Sequence, residues 1–210
     1  MPKIKVKRAS TTIDMTAMCD VSFLLLTFFI LTATARQPEP LPVDTPASTV
    51  QIKVPDANLG TITVGGDGKV FFGVAGPNVR VRMLERMSEK YSVGFSQKEK
   101  ERFSLMEGFG VPFKNLKQII AMDNAERNRT GLQPGIPTDS VGNSPSELHE
   151  WIIAARYATK EINNAEMRVA IKGDAKEQYP AVKKVIDILQ GQKINKFSLV
   201  TNLRTEDYGK

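Results

Sequence analysis

The sequence predicts an α+β protein: one N-terminal transmembrane helix, then a small mixed-sheet domain ending in a strand–helix–strand unit. Three observations point there. An uncharged apolar run, Val21 to Ala35, lies close to the start. Short β-type runs come after it, two of them separated by the turn sequence Gly65-Gly66-Asp67-Gly68. The last third then alternates strand, helix and strand with short connections.

The membrane helix is a matter of length. Counted from Thr16 to Ala35 the segment has twenty residues, about 30 Å of helix, which matches the hydrocarbon thickness of a bilayer. We assign residues 15–36 to it. Lys3, Lys5, Lys7 and Arg8 precede the run and only Arg36 comes closely after it. The excess of basic residues on the first side keeps residues 1–14 in the cytoplasm and exports the chain beyond Arg36. A cleaved signal peptide would also have a basic start, an apolar core and a small-residue site such as Ala33-Thr34-Ala35. Asp14 and Asp20 directly before the core, and Arg36-Gln37-Pro38 at the would-be mature start, argue against cleavage.

Asp20 carries the chemical interest. A carboxylate near the centre of a membrane helix costs about 2.5–3.5 kcal/mol, and less toward an end. Such acids face a partner or a water path, and proton relays are a common reason to keep one. Thr16, Thr27 and Thr34 recur at spacings of four, seven and seven with Asp20, so all four fall on one helical stripe. Leu24, Leu25, Phe28, Leu31 and Ala35 take the other side. Hydroxyls above a carboxyl can pass a proton or orient water. Equally, threonines in such helices bond back to their own helix carbonyls, and Ser22 and Thr32 lie off the stripe.

Residues 37–49, with four prolines, read as a semi-extended linker, able to reach about 40 Å at roughly 3.1 Å per residue. The domain proper is placed at residues 50–210. It opens with β-type runs Val50–Val54, Thr61–Val64 and Val70–Phe72, the last two joined as a hairpin. A helix is predicted over Val79–Tyr91, with Val79, Met83, Leu84 and Met87 on one face. Two more are predicted over Gln97–Glu107 and Lys114–Arg127, then a glycine- and proline-bearing loop from Asn128 to Asn143. Asn128-Arg129-Thr130 has the form of a glycosylation sequon. Ser144-Pro145-Ser146-Glu147 reads as a helix start with Ser144 as N-cap, the helix running to Asn163. On it, Trp151 is expected in the core and His149, the only histidine, at the surface. The closing unit is a strand at Met167–Ile171, a helix at Gln178–Gln190 with Val182, Val185, Ile186 and Leu189 inward, and a strand at Lys196–Thr201. Short connections make this a parallel pair with a crossover helix.

Composition narrows the function classes. The net charge of +6 is spread among acids, which gives no nucleic-acid stripe. Cys19 is the only cysteine, so no internal disulfide can form. There is no glycine-rich phosphate loop, no zinc-type cluster and no nucleophile signature. The expectation is a non-enzymatic protein without metal or cofactor.

Two blocks resemble one family. Ile13-Asp14-Met15-Thr16-Ala17-Met18-Cys19-Asp20-Val21 with the Leu/Phe run is similar to the membrane segment of the ExbD/TolR biopolymer-transport proteins. Met167-Arg168-Val169-Ala170-Ile171-Lys172-Gly173-Asp174, with Tyr179, the 182–189 helix and Phe197-Ser198-Leu199-Val200, resembles the close of their periplasmic domain. Ala17 stands where the family pattern has proline, and residues of about 80–145 form an insertion relative to short members. The resemblance implies a single-pass protein of the bacterial inner membrane, with two copies of its helix inside a pentameric ExbB/TolQ-like partner. Proton flow past Asp20 would drive a TonB-like protein or a Tol-type envelope system. It also implies a homodimer and a periplasmic domain after the helix. The competing expectation is an anchored or secreted periplasmic binding domain without ion coupling.

Overall fold

The computed structural model describes residues 15–32, 43–45, 47–48, 57–65, 67–127, 129, 131–140, 142, 144–174, 179–200 and 202–203. The basic start, the Val50–Val54 run, Thr34, Arg36 and both ends of the sequon (Asn128 and Thr130) lie outside them. The chain divides into two units, Met1–Gln37 and Pro38–Lys210. The first holds α1 (Met15–Thr32).

The second unit is mixed α/β around a four-stranded sheet in the order β3-β2-β4-β5. β2 (Leu59–Val64) and β3 (Val70–Val74) form the hairpin read from the glycine-rich turn. The turn closes with Gly65 N bonded to Lys69 O at 3.0 Å and Gly68 N to Gly65 O at 2.9 Å, with Gly68 at φ 71. β4 (Arg168–Gly173) pairs parallel with β2, and β5 (Phe197–Val200) parallel with β4. α7 (Tyr179–Gly191) makes the crossover between those two, burying Val185 and Leu189 fully and Val182 and Ile186 in part. A separate two-residue ladder pairs β1 (Ala47–Ser48) parallel with β6 (Asn202–Leu203). Thr45 is buried, so the last residues of the proline-rich stretch belong to this folded unit.

Helices cover one face of the sheet. α2 (Pro77–Tyr91) starts on its proline and ends with Ser92 in the left-handed region, φ 54. Its Val79, Met83, Leu84 and Met87 are all buried, as the spacing requires. It packs on α6 (Glu147–Asn163), which contributes Leu148, Trp151, Ile152, Ala155 and Ala158.

The stretch between those helices departs from the sequence reading in three places. α3 spans Gln97–Ser104 and stops short of Glu107. The Arg80 guanidinium takes Ser104 O at 2.7 Å, one of the carbonyls that the end of a helix leaves without an intrahelical partner, and Met106 O at 2.9 Å just beyond it. Residues 114–127 do not form one helix. A 3₁₀ turn at Phe113–Asn115 leads into α4 (Leu116–Ala121), and α5 (Asn124–Arg127) is separate. Arg102 Nη1 takes Ala121 O at 3.0 Å, Met122 turns extended, and Asp123 O starts the next turn by accepting from Arg127 N at 2.9 Å. Third, the N-cap of α6 is Ser146 and not Ser144: its hydroxyl accepts from His149 N. The Glu147 carboxylate accepts from Phe113 N at 2.9 Å, a tertiary bond that takes the place of a capping box.

The stretch between α2 and α6 carries core. Phe103, Phe109 and Phe113 surround Trp151, with ring centroids 6.4, 4.7 and 5.8 Å away. Trp151 is fully buried, and Leu116, Ile119, Ile120 and Ile136 belong to the same cluster.

Candidate functional site on the N-terminal helix

α1 has 18 residues, about 27 Å at 1.5 Å per residue. None of them is buried by the chain itself, and only Thr27 is even half-covered. Phe23, Leu24, Leu26, Phe28, Phe29, Ile30 and Leu31 are each more than half exposed. An apolar surface of that extent on every side needs lipid or other helices around it. Among the described residues it is the one helix long and apolar enough to cross a membrane.

Asp20 is the only Asp, Glu, Lys, Arg or His in α1, and it is exposed on the helix surface. At about 100° per residue Thr16 and Thr27 lie within roughly 40° of each other and of Asp20, so the stripe exists as a line on the helix. Its hydroxyl chemistry is more restricted than its alignment. Thr27 Oγ1 donates to Leu24 O at 2.9 Å. Off the stripe, Ser22 Oγ donates to Met18 O at 2.8 Å and Thr32 Oγ1 to Phe28 O at 2.7 Å. Of the two readings open to Thr27, back-bonding to its own helix is the observed one, which leaves its oxygen free only to accept. Thr34 falls outside the described residues.

In the second unit the ionisable groups form braces. Arg82 meets Glu161 at 2.9 Å and Glu85 at 3.2 Å, Arg86 meets Glu161 at 2.8 Å, and Lys100 meets Glu85 at 2.7 Å. The network ties α2 to α6 and α3. The two guanidiniums hold the Glu161 carboxyl down at about 2, and Lys100 holds Glu85 below its ordinary value. Lys90 pairs with Glu150 along the same seam. Among the described residues no three His, Cys, Asp or Glu side chains gather as a metal site would need. His149 is half-buried, and its carbonyl accepts from Gln192 Nε2 at 2.9 Å.

Arg80 is the polar residue the sequence reading passed over. Besides Ser104 O and Met106 O it donates from Nε to Val74 O at 2.9 Å. Its signal was present: a cation directly beside Val79, at the edge of an otherwise regular apolar face.

A family model described as "Biopolymer transport protein ExbD/TolR" matches residues 6–204. No curated protein and no solved structure matches the chain.

Proposed function

The chain belongs to the ExbD/TolR family, whose members serve to energise biopolymer transport, and from that premise we propose that it is the ion-coupled, single-pass subunit of a membrane motor. The observation that carries this reading is Asp20, the one carboxyl in a bilayer-length apolar helix. The N-terminus lies in the cytoplasm, the helix in the bacterial inner membrane and the folded unit in the periplasm. The surrounding partner is a pentameric multi-helix protein of the ExbB/TolQ type, holding two copies of α1. Asp20 takes up a proton from one side and releases it to the other, and the cycle of charge and neutrality moves the helix against its partner. Each charge crossing 100 mV supplies about 2.3 kcal/mol. The folded unit passes that motion to a TonB-like protein or a Tol-type envelope system.

Substitution tests the proton-carrying role. Asp20→Asn is nearly isosteric and still hydrogen-bonds, yet cannot exchange a proton at neutral pH. The variant is expected to insert, reach wild-type levels and lose energised transport or envelope integrity altogether. Wild-type activity in Asp20→Asn would reject the role.

One observation favours a narrower version. Because the Thr27 hydroxyl is spent on Leu24 O, the threonine stripe is not needed as a proton wire. Asp20 then acts with groups of its partner, and Thr16, Thr27 and Thr34 line its path only as small polar neighbours.

A further inference from the structure

The stretch between α2 and α6 does more than fill the core. In the β2–β3 ladder Ile62 faces Phe72, Val64 faces Val70 and Gly60 faces Val74. Phe72 sends both its backbone groups away from β2, so positions 70, 72 and 74 are the outward-facing ones of this strand. Each outward carbonyl is met by a different element. Val70 O accepts from Ile136 N at 2.8 Å, and Phe72 exchanges bonds with Phe109 at 2.9 and 3.0 Å. Val74 O accepts from Arg80 Nε at 2.9 Å.

The cover is itself tied together. Arg80 Nη1 holds Ser104 O and Met106 O at the start of the covering stretch. Gly135 N donates to Gly110 O at 2.7 Å, and Gly110 N to Gln133 Oε1 at 2.7 Å. Glycines permit the close approach. A Cβ on Gly73 would lie 2.0 Å from Glu107 O, and one on Gly110 2.5 Å from the Phe71 ring.

The strand beneath explains the need. β3 reads Val-Phe-Phe-Gly-Val, uncharged, apolar and rich in strand formers, the kind of edge that recruits further strands. At the sheet's other end β5 pairs, among the described residues, only with β4, and its Leu199 is 61% exposed. β3 runs antiparallel to β2, whereas β4 and β5 run parallel to it. Copies stacked in one orientation would therefore bring β3 of one against β5 of the next as an antiparallel pair. Head-to-tail pairing of that kind adds copy after copy, into a ring where the rotation closes and an open-ended filament where it does not.

We propose that residues 106–111 and 133–137, latched by Arg80, form an edge cap that bars the β5 strand of a second copy from β3. Among the described residues the capped four-stranded sheet keeps one unpaired edge, β5. A strand that joins this four-stranded sheet joins at β5, and assembly through the sheet stops after one addition.

The test is made on the full chain in detergent by analytical ultracentrifugation. Gly73→Ala forces Glu107 away from the strand, Arg80→Met removes the latch, and the two are also combined. Deuterium uptake at residues 106–111 reports opening of the cap. The expected result is a concentration-dependent ladder of species heavier than wild type. Adding Leu199→Lys, which charges the β5 edge without touching the cap, is expected to return the sedimentation to wild type. Wild-type sedimentation in all three cap variants overturns the proposal. So does a ladder that Leu199→Lys leaves unchanged, since clumping of misfolded chains would ignore a single charge on β5.

Discussion

A carboxyl in a helix that the chain itself leaves uncovered has no structural use for its charge, which is why Asp20 directs attention to a partner. Neighbouring hydroxyls invite an overreading. Side chains at 16, 20 and 27 share a stripe, but the Thr27 proton is already donated to Leu24 O at 2.9 Å. Thr27→Val is therefore expected to keep wild-type energised transport, in contrast to the loss expected from Asp20→Asn. If Thr27→Val were as inactive as Asp20→Asn, a hydroxyl relay would be restored to the mechanism. The same care applies to Arg80, whose three carbonyl partners make it a latch and leave it no free donor fork to offer an anion.

Among the elements, α6 is the one on which both the sheet and the insertion depend. Trp151 contacts three phenylalanines supplied by the insertion while its helix packs on α2. Trp151→Ala is expected to cost about 3–5 kcal/mol, because the surrounding rings belong to separate segments and cannot collapse onto the space. Thermal unfolding followed by near-ultraviolet circular dichroism measures it, and a loss below about 1 kcal/mol would mean the insertion is not part of the core. The α2–α6 brace makes a pH prediction. The Glu161 carboxyl is held down to about 2 from an ordinary 4.5. A depressed acid contributes stability that is fully present above its unfolded value and is lost as pH falls through the folded one. The brace should thus weaken between pH 4.5 and about 2 and be indifferent to changes at neutral pH. Because Glu161 is exposed, salt should blunt the effect. Comparing acid unfolding of wild type and Glu161→Gln isolates it: the difference should vanish at the acid end of that window.

At the scale of the molecule, the folded unit is a sheet whose helical layer includes the insertion. Residues 38–210 expressed without α1 are expected to fold and unfold cooperatively. Deleting residues 94–145 from that unit should abolish the cooperative transition, since it removes Phe103, Phe109, Phe113, Leu116 and Ile120 from one continuous core. A deletion that still melts sharply would show the insertion to be a passenger. A close-packed core transmits strain with little give, which suits the part in biopolymer transport that the family's description names.

Local chemistry was enough to determine much of this protein. The apolar run with its single acid, the glycine-rich hairpin turn, the face of Val79, Met83, Leu84 and Met87, and the parallel closing pair all arise from period and turn signals that act over a few residues. The candidate site was legible for the same reason, since a charge among lipid-facing side chains needs no tertiary context to stand out. Tertiary contacts decided the rest. Arg80 holds the carbonyls at and beyond the end of α3, Arg102 takes Ala121 O where the 114–127 stretch breaks, and Phe113 N takes the Glu147 carboxylate. Each is a hydrogen bond between a backbone group and a side chain 19 to 34 residues away. Such bonds form only when folding brings the distant side chain within hydrogen-bonding distance, which no signal acting over a few residues reports.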